Sequence, residues 1–247
     1  MAPFFSIITV CYNSEKTIGR TLDSMLAQTN QDYEYIIIDG ASTDQTMNLL
    51  RKYEPRFEGR MKIYSEDDDG IYDAMNKGIH KASGQFIGMV NSDDFYDPKA
   101  LQNIREAVTG QRHQILYGFQ RVLRKNQEIE INFVNDCMIG ESMISHPSCF
   151  VSASVYRDFG MYDTRYKSAA DLDFLLRIKK QTDTQFVPVY KIITNFMQGG
   201  MSSSGIGMRE AARIRHKYGV YSGGRCRYVI MQSYMIDFVH WIKKRRH

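Results

Sequence analysis

Residues 86–94 read Phe-Ile-Gly-Met-Val-Asn-Ser-Asp-Asp, an apolar run of buried-strand character that stops on a polar pair, Asp93 and Asp94, ahead of Phe95-Tyr96-Asp97-Pro98. The pattern delivers two carboxylates to the carboxyl end of a strand. In open α/β sheets ligands sit at that edge, and adjacent carboxylates repel there unless a cation lies between them. The simplest occupant is Mg2+ or Mn2+ carrying a substrate phosphate. A second reading stands beside it, a solvated turn opened by Asp and closed by Pro98.

Upstream, Phe4–Val10 and Tyr33–Ile38 are further continuous apolar runs rich in β-branched residues, the pattern of parallel central strands. Between them Ser14 is placed to cap a helix with Ile18, Leu22, Met25 and Leu26 at helical spacing, and Ser42-Thr43-Asp44 to cap a second with Met47, Leu50 and Tyr53. A strand over 61–65, a helix over 70–81 and the strand over 86–90 complete three rounds of alternation, which predicts a right-handed crossover sheet. Past residue 100 the regularity falls. A helix over 99–108, strands near 115–121 and 129–134, an irregular stretch to His146, a strand-like Cys149-Phe150-Val151, a helix over 169–180 and a strand over 185–189 follow. With no linker and no internal repeat, the halves on either side of residue 98 are expected to share one sheet in a single α/β domain over 1–205, followed by a helical basic extension over 206–247.

Composition bounds the class. The 247 residues suffice for one good core, and 43% hydrophobic with 24% charged is ordinary globular usage. Four cysteines, Cys11, Cys137, Cys149 and Cys226, lie far apart, fit no zinc spacing and form no Cys-x-x-Cys. The first residues, Met-Ala-Pro-Phe-Phe, carry no basic segment or small-residue cleavage site, and no run approaches the ~18 apolar residues of a membrane span. The expectation is a cytosolic chain with reduced thiols. Net charge is only +4 but uneven: residues 66–69 are Glu-Asp-Asp-Asp, whereas Lys243-Lys244-Arg245-Arg246-His247 closes the sequence.

The loops after the predicted strands hold the chemistry-bearing residues: Thr9, Cys11, Tyr12 and Asn13; then Asp39 to Asp44; then Glu66 to Gly70; then Asp93-Asp94. Four loops on one edge make one crevice. Asp39 can accept from a base N–H or from ribose hydroxyls, with Gly40 letting backbone approach the ligand, or it can simply enter a helix turn. No Gly-x-Gly-x-x-Gly and no Gly-Lys-Ser/Thr is present, which leaves a metal as the clamp for a phosphate.

Four strings in order, Thr9-Val10-Cys11-Tyr12-Asn13, Ile38-Asp39-Gly40-Ala41-Ser42-Thr43-Asp44, Ser65-Glu66 with Gly70-Ile71-Tyr72-Asp73-Ala74-Met75-Asn76-Lys77-Gly78, and Asn91-Ser92-Asp93-Asp94, resemble successive signatures of family 2 glycosyltransferases. The resemblance covers roughly residues 4–200, and the Gly-Ile-Tyr-Asp-Ala-Met-Asn-Lys-Gly run is most similar to a bacterial branch that builds O-antigen, colanic-acid and capsule-type polysaccharides. It implies a GT-A fold of Rossmann-like mixed sheet flanked by helices, an inverting mechanism, a divalent cation and a nucleotide-diphosphate sugar donor, a UDP-sugar before others. By the same match Thr9, Cys11, Tyr12, Asn13, Asp39, Glu66, Asn76, Asn91 and Asp93 would bind the donor in the half over 1–98, with Asp93 and Asp94 on the metal. Asn91 stands where the family often has Asp, and Met75 where members often carry Arg.

Ser168-Ala169-Ala170-Asp171-Leu172-Asp173 resembles the family's Glu-Asp-x-Asp helix start, with Ala170 in place of Glu. That match makes Asp171 the base of the acceptor half over 99–205, a role that needs a carboxylate within hydrogen-bond reach of the acceptor hydroxyl. Asp171 and Asp173 also suit a helix N-terminus simply as acids. His146 and Asp173 are candidates for the acceptor side, His146 with a packing role as its alternative. The segment Met197-Gln198-Gly199-Gly200-Met201-Ser202 reads either as a moving lid or as a plain turn.

From Arg225 to Arg246, apolar Tyr228, Val229, Met231, Met235, Ile236, Phe238, Val239, Trp241 and Ile242 alternate with basic positions. Such a helix can lie in an anionic membrane surface, or pack on the domain with a solvated basic end. The first option suits a saccharide acceptor carried on a polyprenyl diphosphate, and a peripheral place at the cytoplasmic face of the inner membrane. No aromatic–basic stacking motif points to nucleic acid. Two other classes remain open: a sugar nucleotidyltransferase, whose Gly-rich activation loop is absent here, and a nucleotide-sugar-binding module without turnover.

Overall fold

Two seven-residue runs with every side chain buried, Phe5–Cys11 and Tyr33–Asp39, pair in parallel from Phe5 opposite Tyr33 to Cys11 opposite Asp39. They form the centre of the sheet in this computed structural model, which describes residues 2–198 and 205–245. In chain order the strands are β1 (Phe5–Cys11), β2 (Tyr33–Asp39), β3 (Met61–Ser65), β4 (Phe86–Met89), β5 (Phe95–Tyr96), β6 (His113–Arg124), β7 (Gln127–Asn132), β8 (Cys149–Ser152) and β9 (Thr184–Met197). The helices are α1 (Ile18–Leu26), α2 (Thr46–Tyr53), α3 (Ile71–Lys81), α4 (Ala100–Ala107), α5 (Ala153–Phe159), α6 (Ala170–Lys179), α7 (Gly205–Lys217) and α8 (Gly223–Arg245).

All the described strands belong to one mixed sheet in the order β3-β2-β1-β4-β8-β6-β9-β5, with β7 hairpinned onto β6. β3, β2, β1 and β4 are parallel, β8 is antiparallel to β4 and to β6, and β9 runs parallel to β6. The two halves thus share a sheet, as the missing linker implied.

Side-chain alternation sorts the central strands onto two cores. Phe5, Ile7, Tyr35 and Ile37 face α1, α2 and α4, whereas Ile8, Val10, Ile36 and Ile38 face α3, α5 and α6. α3 lies so close to the sheet that a Cβ on Gly78 would come within 2.6 Å of Ile8 Cγ2, so the helix seats only because residue 78 has no side chain. α7 joins the second core through Ile214, which is fully buried; the segment after residue 205 is therefore continuous with the domain through α7, on which α8 packs through Ser233 and Asp237.

Three elements differ from the sequence expectation. β9 extends to Met197 rather than ending near Val189, because its second half pairs with β6 and β5 while carrying polar Thr194 and Asn195 inward. α5 follows β8 without a turn signal. Ser14 does not cap α1: its carbonyl accepts from Thr17 and Ile18 in a turn ahead of the helix, and its hydroxyl meets Ser92 at 2.8 Å.

Candidate active site

The carboxyl ends of β1, β2 and β3 are level, since Cys11 pairs with Asp39 and Asp39 with Ser65, and Val90 just past β4 donates to the Ile8 carbonyl at 3.0 Å. The loops that follow therefore leave the sheet along one edge.

On the β1–β2 side these loops are locked onto one another. Asp39 is fully buried; one oxygen accepts from Ser42 Oγ at 2.5 Å and the Cys11 thiol at 3.6 Å, the other from Ser42 N at 3.0 Å and Ser65 Oγ at 2.7 Å. Burial, reinforced by the Asp39 charge, pushes the Cys11 thiol far above its ordinary range, so it stays protonated and donates. Asn13, in the left-handed region at φ 49°, accepts from Thr43 N at 2.9 Å, and its own amide donates to Ser42 Oγ at 2.8 Å. Asp68 closes over Gly40, where a Cβ would meet its Oδ2 at 2.5 Å. Tyr12, 64% exposed, and the exposed Glu66 stand at the rim, Glu66 within 3.8 Å of the Lys77 ammonium.

The acidic loop is held from below. Thr21 of α1 donates to the Asp94 carbonyl at 2.6 Å, and Ser92 meets Ser14. Asp94 is fully buried, with one oxygen accepting from Met197 N at 3.0 Å and the other from Asn91 Nδ2 at 3.2 Å. Burial first, and then the neighbouring Asp93 charge, raise it to about 7. Asp93 is half-buried and also raised by burial, and among the described residues no other residue donates a hydrogen bond to its carboxylate. One open carboxylate beside a buried partner fits a divalent cation that brings its remaining oxygens with a diphosphate, rather than one caged by protein. Among the described residues no group of three or more His, Cys, Asp or Glu is arranged to hold a metal ion.

Across the crevice Asp171 sits in the first turn of α6 and is nearly buried. Its Oδ1 accepts from Tyr72 OH at 3.0 Å and from Leu172 N at 2.9 Å; its Oδ2 lies 3.3 Å from His146 Nδ1. Burial and the Asp171 charge raise the Tyr72 phenol well above its usual value, so it remains a donor. The other nitrogen of His146, Nε2, is 3.5 Å from Asn91 Oδ1, which places one imidazole ring between the α6 carboxylate and the acidic loop.

Not every residue singled out in the sequence faces this space. Thr9 points into the α1-side core, as its alternation with Ile7 dictates, and meets Tyr35 OH at 3.0 Å. Cys11 is buried against Asp39. Asn76 spends both amide atoms on the Tyr162 backbone, 2.9 and 3.1 Å, which pins the loop ahead of α6. Asp94 ties β4 to the end of β9. Asp173 turns away from His146 and pairs with Lys217 of α7 at 2.7 Å. In the paired-glycine segment, Gly199, Gly200, Met201 and Ser202 lie outside the described residues. Tyr72 has no assigned role in the sequence, and the run Gly70–Gly78 that contains it is the available signal.

Comparison with known proteins bears on the family and the fold. The description "Glycosyl transferase family 2" matches residues 6–133. A PGL/p-HBAD biosynthesis glycosyltransferase of Mycobacterium tuberculosis is 28% identical over 207 residues, 82% of this chain and 80% of its own. An uncharacterized glycosyltransferase of the same species is 34% identical over 184 residues, covering 71% of this chain and 69% of that one. Residues 1–349 of S. aureus TarS, solved in complex with UDP-GlcNAc, match at TM-score 0.71 and 20% identity over 94% of this chain and 71% of theirs, a likeness of GT-A fold. Of a longer TarS chain the present one spans 39%.

Proposed function

The chain belongs to glycosyl transferase family 2, and from that premise we propose that it moves a sugar, with inversion at the anomeric carbon, from a nucleoside-diphosphate donor to a saccharide acceptor in surface-polysaccharide assembly. As a transferase of this family it needs neither the nucleotidyltransferase nor the binding-module reading. The observation that carries the proposal is the Asn91–His146–Asp171 alignment, which sets a carboxylate opposite the acidic loop across one crevice.

The nucleoside is assigned to the β1–β2 edge around Tyr12, Asn13 and Asp39, and the diphosphate to Asn91 and Asp93. Asp93, with Asp94 behind it, would hold Mg2+ or Mn2+, and the bound cation supplies positive charge to the leaving diphosphate. Asp171 Oδ2 takes the acceptor proton as the acceptor oxygen bonds to the anomeric carbon and the bond to the phosphate oxygen breaks with its electron pair. Attack from the side opposite the leaving group inverts the configuration. Tyr72 and Leu172 N occupy Oδ1, which leaves Oδ2 as the atom turned to His146 and the acceptor.

A panel of UDP-, GDP- and dTDP-sugars, each with and without Mn2+, tests the reading by thermal unfolding. The matching donor should raise the midpoint only with metal, the underlying stabilisation being about 2.7 kcal/mol at a concentration near a hundred times its Kd. A flat response to every member would reject it.

The acceptor's lipid link and the membrane site rest on α8. Cys226 and Ser233 lie buried on one side of this helix; Tyr228, Met231 and Met235, each 56–62% exposed, fall on the opposite side at helical spacing, between Arg225 and Arg227. Among the described residues no helix is long and apolar enough to cross a membrane. An apolar strip flanked by arginines fits an anionic bilayer surface. The full chain should co-sediment with phosphatidylglycerol vesicles and not with phosphatidylcholine vesicles, and lose that preference in Met231→Ser/Met235→Ser.

A further inference from the structure

The helix that carries Asp171 starts without a cap of its own. Ala169 occupies the cap position and has no side chain able to accept a hydrogen bond, while the first amides of any helix lack intrahelical partners. The three amides that lead into α6 are bound from α7. The Glu210 carboxylate accepts from Lys167 N at 2.9 and 3.1 Å, from Ser168 N at 2.8 Å and from Ala169 N at 3.1 Å. Three consecutive amides close on one carboxylate, and the positive end of the α6 dipole faces the same charge. Asp171 follows immediately, its Oδ1 fixed by Leu172 N and Tyr72 and its Oδ2 toward His146.

Glu210 is itself held in place. Its neighbour Arg209 donates to Asp237 of α8 at 2.6 Å and to Ser233 at 3.3 Å and lies over the Tyr234 ring, while Ile214 anchors the same helix in the core. The turn over 167–169 is thus gripped by a residue whose own position is set from both sides.

We propose that Glu210 is a positioning residue for sugar transfer: its grip on the turn fixes where α6 begins and so where the Asp171 carboxylate points. This rests on Asp171 being the base. A carboxylate that served only to fasten α7 would change stability and leave the turnover of folded protein intact; one that orients the base changes kcat and spares the donor, which binds across the crevice.

The test uses the full chain and the nucleotide sugar selected by the thermal-shift panel. Glu210→Ala should lower kcat by about 100-fold, the scale of a small misplacement of a reacting group, with donor KM within about twofold. Glu210→Gln, which keeps an oxygen for the amides, should recover part of that loss. Hydrogen exchange should quicken over 167–172 in Glu210→Ala and stay unchanged in β1 and α3. Wild-type kcat in Glu210→Ala, or exchange that quickens equally throughout the chain, would overturn the proposal. Asp171→Asn keeps the premise separate. Turnover in that variant removes the base assignment, whereas an inactive Asp171→Asn beside a fully active Glu210→Ala leaves the base in place and Glu210 without its role.

Discussion

The two sides of the crevice are built by opposite means. On the β1–β2 side polar residues are tied to one another within three adjoining strand ends: Asp39 to Ser42 and Ser65, Asn13 to Thr43, Asp68 over Gly40. On the α6 side, Tyr72 and His146 reach the Asp171 carboxylate, Asn91 stands behind His146 and Glu210 holds the turn ahead of α6, segments scattered along the chain. A prefabricated side holds a ligand in a fixed place. An assembled side can lose the orientation of its reacting group through any one contributor, and its defects should appear in turnover before they appear in binding.

The largest effect expected from this contrast is at Asp171. Asp171→Asn keeps the shape and removes the proton acceptor, so transfer should fall by about a thousandfold or more, within the range of general-base catalysis, while donor-induced thermal stabilisation persists. Equal loss of both would erase the distinction between the sides. Next comes Asp93→Asn, which should abolish the metal-dependent part of donor binding rather than the proton step. Because burial raises Asp93, and raises Asp94 to about 7 with help from Asp93, protons compete with the cation at low pH. Stabilisation by Mn2+ should therefore grow from about pH 5.5 to about pH 8 in the native chain, as metal binding to deprotonated ligands requires, and vanish in the variant. A smaller loss belongs to Tyr72→Phe, which deletes one of the two donors to Asp171 Oδ1. About tenfold in kcat with donor KM unchanged is expected, the scale of one hydrogen bond to a charged group.

The same contrast explains what was legible in the sequence. Parallel strands and the loops at their carboxyl ends were, because a buried strand is a continuous apolar run and its loop follows at once; β3 spans 61–65 as read. The level edge of Cys11, Asp39 and Ser65 follows from those strands alone. Alternation even contained the burial of Thr9, which shares parity with Phe5 and Ile7. What was not legible depends on contacts distant in sequence. Asn76 reads as a motif residue until the Tyr162 backbone arrives to occupy its amide. Asp173 reads as a second acid of the site until Lys217 draws it toward α7. The turn that leads into α6 is held by Glu210 from α7, and no local pattern encodes that.

The smallest expected effect lies at the opposite end of the prefabricated half, and it asks whether the strands themselves depend on comparable polar ties. Glu34 in β2 is nearly buried, and its carboxylate receives Ser6 Oγ, Ser83 Oγ and Ser83 N, each at 2.7 Å, and Lys62 Nζ at 2.8 Å. Burial alone would raise its pKa, but Lys62, Ser83 and Ser6 together hold it below the usual carboxylate value. A carboxylate lowered in the folded state contributes stability that is present above its unfolded pKa and is lost as pH falls through the folded one. The native chain should accordingly lose thermal stability below about pH 4.5, in the range where glutamate takes up protons on unfolding. Glu34→Gln should unfold a few degrees lower at neutral pH, since about 1 kcal/mol shifts the midpoint by roughly 2–4 °C in a chain of this size. It should also show a shallower decline in acid, and leave the ratio of kcat to donor KM where it was. A changed ratio would mean that the β1–β2 edge transmits strain from its amino end to the crevice, and the β1–β2 half would then be no more self-contained than the half that carries Asp171.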